Sequence, residues 1–592
     1  MDKKYITLRS CAKKYTRDQD KALSPEQTVE HFLARLKEVN LDILKEVRRI
    51  DNGRLDIPVY FSVCGSDARD IIGTKKQMGK GSTPEQARAS ACMELAERFS
   101  FFSFLKNSAN FITGDYAGMR QAGYPLVSAR TLLDSVHDHS RSPELLEKLL
   151  AGLPLRWTWA TRLGGDSPPQ PADNPLLPFS WFFAINEFNG PSAGNTYEEA
   201  VLQGISEVVE RHVCAVVTRE RLKTPTIDPD SVTHPVGREL IDKFRRQNIT
   251  LYLKDFSLDT GIPTVAALAW DPKTFPETSE IVYTAGTTPD ADKALIRALT
   301  EVAQLAGDFN SSANYVASGL PKPASLDEVD HVTAADGVIA LSQMPCLGDD
   351  DMFREIENCR AALAAENMEV LLLDTMHSEL RIPAVYTIIP GAHFRERAAG
   401  GDAALFAAKL AFDLLSPGPS REEKLTQLKQ YLPHAYYLDF YQGRNLYDLG
   451  MAADALASFD RAIKHQPRNE DLPYILSYKG CCLRDLGRYE EAVEILEQGR
   501  ALDDDRPDIH NILGVCHFKL RNHEEAVFHF KRVVELNPAS AVDYANLGIN
   551  LQRLGRLRRA MENYETALAL DPSIDFAARG LAEILEAGLE DT

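Results

Sequence analysis

The chain has 592 residues, of which 44% are hydrophobic, and a net charge of −20. This length suits two to four domains, and the acidic balance excludes broad nucleic-acid binding. No apolar run approaches membrane-spanning length, and nine cysteines without a CxxC pair exclude a zinc or disulfide framework.

In chain order, residues 1–20 are basic and read as a loosely ordered arm. Met1 to Tyr5 has no secretory core behind it, and a reduced cytoplasm is the expected compartment. Val29, Phe32, Leu33, Leu36 and Val39 recur at helical spacing, predicting an amphipathic helix over 28–40. Residues 57–65 read as a strand. Gly79-Lys80-Gly81 then opens a helix start, with Thr83 as N-cap, Pro84 at the first helical position and Gln86 closing a capping box. The helix continues to Arg98 and sets Glu94 and Glu97 on one face. Gly73 to Gly79-Lys80 imitates a phosphate loop. Five residues separate its glycines where a Walker A motif needs four, and Gly81 takes the Ser/Thr position. Residues 115–180, with Pro168-Pro169 and Pro171, read as an insertion or surface excursion. Within it, Trp157-Thr158-Trp159 reads as a core strand.

The helix start recurs. Thr196, Ala200, Glu207, Glu210 and Arg211 repeat Thr83, Ala87, Glu94, Glu97 and Arg98 at a constant offset of 113. A weaker third copy runs Asp290, Ala294, Glu301, Gln304. Each helix is apolar around its acids, and buried carboxylates need a cation. Oxygen ligands without nearby Cys or His suit Mg²⁺.

Beyond the second copy come a helix at 238–248 and strands at 249–256, 262–270 and 281–287. A similar unit follows at 354–366, 368–374 and 382–389. Each unit has a strand ending in Asp (Asp255, Asp374) and then an Ile-Pro strand (Ile262-Pro263, Ile382-Pro383). The fold class is therefore α+β: an internally duplicated α/β domain over 1–415, a linker over 416–434 and an all-α array over 435–592. In the array, Gly480, Gly514 and Gly548 are 34 apart, as are Ala492, Ala526 and Ala560. Gly443 and Ala455 mark an earlier copy. This is the period of tetratricopeptide repeats, giving four repeats and a capping helix at 573–588.

The first two motifs, with Ser90, Ser192-Ala193-Gly194-Asn195-Thr196 and Gly204, resemble the YcaO family. The resemblance covers about the first 415 residues. It implies an enzyme that uses ATP, giving ADP and phosphate, to phosphorylate a peptide-bond oxygen so that a nucleophile can attack the amide carbon. It implies ATP and Mg²⁺ as cofactors. Glu94, Glu97, Glu207 and Glu210 are then the metal-facing set. Lys80, Ser90, Ser192, Asn195, Glu199, Gln203, Arg211, Arg297 and Glu301 belong to the nucleotide site, and Lys21 and Thr28 match by spacing a lysine and a hydroxyl that the family sets against the nucleotide. Glu199 has a competing local role in the cap of Thr196. Guanidinium groups fork onto phosphate oxygens, which suits Arg211 and Arg297. No catalytic residue beyond this site is assigned, and His212 and His393 read as structural.

Azoline-forming members end in a Pro-rich tail, and no PxPxP is present in this sequence. The chain looks most similar to the bacterial branch associated with methylthiolation of a small-subunit ribosomal protein, while other branches make thioamides. A peptide or protein substrate is expected, with no membrane and no nucleic acid. The repeats are expected to hold a protein partner or to complete a homodimer. The alternative reading is a scaffold that works through its repeats and is regulated by nucleotide.

Overall fold

The computed structural model describes residues 5–73, 77–164, 174–310, 315, 319–334, 336–394 and 401–587. It divides into two compact units, Met1–Ala403 and Ala404–Thr592. Among the described residues no helix is long and apolar enough to cross a membrane.

The first unit is built on one module used three times. In the first copy α1 (Pro25–Val39) precedes β1 (Leu44–Arg49), β2 (Val59–Cys64) and β3 (Gln77–Lys80), which leads into α2 (Pro84–Lys106). In the second motif β4 (Pro191–Ala193) leads into α3 (Tyr197–Glu220). Then α4 (Pro235–Arg246) precedes β5 (Thr250–Asp255), β6 (Thr264–Trp270) and β7 (Val282–Thr287), which leads into α5 (Ala291–Ala306). Finally α6 (Met352–Ala365) precedes β8 (Leu371–Asp374) and β9 (Ala384–Ile388), and β9 pairs with β4. Each motif helix thus follows a strand that pairs antiparallel with the second strand of a two-stranded hairpin, which precedes it in the first and third copies and follows it in the α3 copy. The α3 copy borrows its helix and two strands from the far end of the unit. Asp255 opposes Val265 and Asp374 opposes Val385, so the two Ile-Pro strands are held in the same register. The duplication read from sequence is real and extends to a third copy.

The strands and helices meet closely at the motifs. A Cβ on Gly79 would lie 2.0 Å from the Ala91 backbone nitrogen, and one on Gly286 would lie 2.5 Å from the Ala294 carbonyl oxygen. Only glycine allows that approach. Thr83, Thr196 and Asp290 each accept the backbone N–H three residues on, from Gln86, Glu199 and Lys293. Those caps satisfy donors that a helix start leaves free.

Two expectations fail in this unit. Residues 115–180 are a packed subdomain: helices at Tyr116–Gln121, Ala129–Asp134 and Pro143–Leu150 cover an antiparallel sheet of Ile112–Gly114, Leu155–Trp159 and Leu176–Pro178. Its Trp157, Leu149 and Leu155 are fully buried, which a surface excursion does not provide. Pro168, Pro169 and Pro171 lie outside the described residues. The basic arm is also held: Ile6 N–H donates to Thr161 Oγ1 at 3.0 Å, and Arg9 N–H to Glu198 Oε1 at 2.7 Å.

The second unit holds four helix pairs, 436–448 with 452–464, 472–485 with 489–502, 507–519 with 523–536 and 541–553 with 557–570, followed by Asp575–Ala587. The repeated glycines explain the period. A Cβ at Gly443, Gly480, Gly514 or Gly548 would strike Phe459, Leu496, Phe530 or Tyr564 at 2.4–2.8 Å. The first helix of each pair must be bare where the second presses a large apolar side chain. Two further helices, Ala403–Leu414 and Pro419–Tyr431, precede the pairs. The stretch 416–434, read from sequence as a linker, therefore contains a full helix, and Arg421 anchors it by pairing with Asp448 at 3.0 Å.

Candidate functional site

The polar faces of α2, α3 and α5 converge on one cavity of about 360 Å³. Lys21, Thr28, Lys80, Ser90, Glu94, Glu97, Glu199, Gln203, Glu207, Arg211, Arg297 and Glu301 all line it. Three of the residues expected at the site have other partners. Ser192 Oγ donates to the Ala200 carbonyl at 2.8 Å, packing β4 on α3. Asn195 Nδ2 donates to Thr28 Oγ1 at 3.0 Å and to Glu199. Glu210 lies behind the lining, where it accepts the Thr287 N–H at 3.2 Å.

The cations and carboxylates interlock. Arg98 Nε stands 3.2 Å from Glu94 and 3.4 Å from Glu97. Arg211 stands 3.6 Å from Glu207 and 3.3 Å from Glu210. This is the same arrangement one module on, as the repeated spacing requires. Arg297 Nε lies 3.6 Å from Glu210, and its NH1 donates to Gln203 Oε1 at 2.8 Å. Lys80 pairs with Glu301. Glu199 is turned from its cap towards the cavity, where it accepts the Ala22 N–H at 3.1 Å and pairs with Lys21 at 3.4 Å.

Burial strains these charges. Burial and then Glu94 push the Glu97 carboxyl well above the usual range, against the pull of Arg98. Burial likewise raises Glu207, opposed by Arg211 and Arg98. Burial, then Arg297 nearby, lowers the Lys80 ammonium to about 7. Arg211 Nε and Arg297 Nε are buried without a hydrogen-bond partner.

These features fit Mg-ATP. Five lining carboxylates meet five lining cations, so the protein has no surplus charge with which to neutralise a triphosphate alone. A metal ion would neutralise part of the triphosphate charge. Two guanidinium nitrogens lack acceptors, and crowded carboxylates gain from a divalent ion. Among the described residues no three acidic, His or Cys side chains meet at one point. An ion here would be held by carboxylates among Glu94, Glu97 and Glu207, which line the cavity. Leu23, Pro25, Met78, Ala89 and Met93 add apolar side chains to the lining. Sequence reasoning missed these contributions: Ala89 and Met93 are four apart on α2, but Leu23, Pro25 and Met78 come from other elements.

Residues 78–393 match the family model described as YcaO cyclodehydratase, ATP- and Mg²⁺-binding, which is more than half of the chain. The chain belongs to the YcaO family. Its cofactors are accordingly ATP and Mg²⁺. Residues 448–533 match the anaphase-promoting complex subunit 3 model and 544–574 a tetratricopeptide repeat. An uncharacterised protein of Methanothermobacter thermautotrophicus is 26% identical over 62% of this chain and 94% of its own length. The ribosomal protein S12 methylthiotransferase accessory factor YcaO of Escherichia coli is 28% identical over 38% of this chain and 40% of its own length. The structure of YcaO from Methanopyrus kandleri bound with AMPPCP and Mg²⁺ aligns with a TM-score of 0.50, at 22% identity, over 66% of this chain and 98% of that one. At that identity it shares the fold.

His137, His212 and His393 pack against one another in this unit. His393 stacks on His137 with ring centroids 3.7 Å apart, and the His393 backbone N–H donates to His212 Nδ1 at 3.0 Å. Burial lowers His212 to about 4 and keeps it neutral.

Proposed function

We propose that this chain activates a peptide backbone amide at the three-helix cavity, in an ATP- and Mg²⁺-dependent post-translational modification. The observation that carries the reading is the convergence of three capped helices on one charge-balanced cavity. When bound, Mg-ATP supplies the phosphoryl group that makes a carbonyl oxygen a leaving group. The chain's own residues position and neutralise, as in other phosphoryl transfers. Arg211 and Arg297 line the cavity and would give guanidinium N–H groups to phosphate oxygens. Glu210 orients both arginines from behind. Glu94, Glu97 and Glu207 offer carboxylate oxygens to metal. Glu199 steers Lys21, and Asn195 ties Glu199 to Thr28.

The repeats suit recruitment of an extended peptide, since arrays of this kind present a concave face. Tyr474, 52% exposed on the first helix of its repeat, carries Arg506 over its ring at 3.7 Å and offers a flat contact surface. The name of the Escherichia coli relative makes a ribosomal protein one substrate class to try.

The test is mass spectrometry of ribosomal proteins and peptides from cells with and without the gene. A mass change that needs the intact chain and is lost in Glu207→Gln supports amide activation. ATP turnover with no modified product supports the nucleotide-regulated scaffold instead.

A further inference from the structure

Lys13 does not line the cavity, yet it secures part of the wall. Tyr15 and Lys21 exchange backbone hydrogen bonds, with Lys21 N–H donating to the Tyr15 carbonyl at 2.9 Å and Tyr15 N–H to the Lys21 carbonyl at 3.1 Å. The turn they close brings Gln19 and Lys21 to the cavity. Lys13 Nζ donates to Asp20 Oδ2 on that turn at 2.9 Å and to Glu355 Oε1 on α6 at 2.6 Å. The Lys13 side chain is 9% exposed and that of Glu355 is 0%. One buried ammonium therefore joins the turn to the body of the unit.

The surroundings strengthen this joint. Cys11 N–H donates to Asp351 Oδ1 at 2.7 Å, and Met352 N–H to the Cys11 carbonyl at 3.0 Å. These bonds fix the chain just before Lys13 against the start of α6. Lys293 on α5 donates to the Arg17 carbonyl at 3.1 Å. Asp20 and Glu355 also line a small second cavity of about 50 Å³, which shares Gln19, Lys21, Glu199, Gln203 and Arg297 with the first. Any shift of Asp20 against Glu355 thus moves the shared wall. By contrast Arg17 on the turn and Lys14 at its base are exposed. Removing one member of a buried charged cluster leaves its partners uncompensated, so losing Lys13 or Glu355 weakens the joint.

We propose that Lys13 and Glu355 are positioning residues of the nucleotide site, whose buried ion pair fixes the turn that presents Gln19 and Lys21 to ATP. This rests on the nucleotide reading of the cavity. Without the pair the turn is docked only part of the time, and apparent affinity falls in proportion to the docked fraction.

The experiment is calorimetric titration of the full chain with Mg-ATP, alongside timed trypsin cleavage after Lys14 and Arg17 read by mass spectrometry. In the wild type Mg-ATP slows both cleavages. Lys13→Met and Glu355→Gln are expected to weaken Mg-ATP by at least about tenfold and to speed both cleavages. Lys13→Arg keeps the charge and is expected to stay within about threefold of wild type. Thermal melts confirm folding, and a variant that fails to fold is replaced by Asp20→Asn, which loosens only the turn's side of the joint. Folded variants that bind Mg-ATP like the wild type, or that leave the cleavage rates unchanged, overturn the proposal. A wild type that binds no Mg-ATP overturns the nucleotide reading and this proposal with it.

Discussion

Replacing Glu97 with Gln is expected to stabilise the ligand-free protein and abolish its stabilisation by Mg-ATP. The Glu97 side chain is 13% exposed, and Arg98, 3.4 Å away, is already shared with Glu94. Burial, Glu94 and Glu207 all oppose its charge. A carboxyl raised in the folded state binds more protons there than in the unfolded chain, so stability falls as pH rises above the unfolded value near 4.5. The loss is about 1.4 kcal/mol for each pH unit separating the folded and unfolded values, once the group is charged in both. Arg98 and Arg297 offset part of it. Gln keeps the shape without the charge, and a net gain of about 1 kcal/mol is expected, worth about 1–2 °C in a unit of this size. Mg-ATP at about a hundredfold excess over its Kd adds about 2.7 kcal/mol to the wild type. Scanning calorimetry with and without Mg-ATP reads both effects. A Glu97→Gln loss of about 3–5 kcal/mol, as when a favourable buried pair is broken, would refute the reasoning. So would a full Mg-ATP shift in the variant.

Two further outcomes concern the repeats. Gly514→Leu sets a branched side chain where even a Cβ would lie 2.8 Å from the Phe530 ring, and a destabilisation of about 1–3 kcal/mol is expected in a circular-dichroism melt. His529 is pushed down to about 3 by burial, then by His510, His517 and Arg500, with Asp504 pulling the other way and Glu497 3.7 Å from Nε2. Below about 6.5 the unfolded chain therefore takes up a proton that the folded chain refuses, and stability falls by about 1.4 kcal/mol per pH unit. Melts at stepped pH should show this slope, and His529→Phe should reduce it.

The site was legible because its signal is local. Cap, spacing and acid pair all fall within one helix start, and the constant offset from Thr83 to Thr196 joined two copies before any contact was known. The third module was hidden for two reasons. β1, Leu-Lys-Glu-Val-Arg-Arg, is mostly exposed and lacks the apolar pattern of a strand. The α3 copy pairs Ser192 with Val385, a contact that no local pattern reports. The arm was misread because its order comes from partners far along the chain: Lys13 is polar and unremarkable in sequence, and only α6 supplies Glu355. The 115–180 stretch was misread from its prolines, although Leu146, Leu149, Leu150, Leu153 and Leu155 carry a core there.

The most direct test of the central claim is calorimetric titration of the full chain with ATP, with and without Mg²⁺, in the wild type and in Glu207→Gln. The account expects tight binding only when Mg²⁺ and Glu207 are both present, with the affinity of the variant reduced at least about tenfold. Binding that is equally tight without Mg²⁺, or unchanged in Glu207→Gln, would contradict the claim that the three helices build one Mg-ATP site.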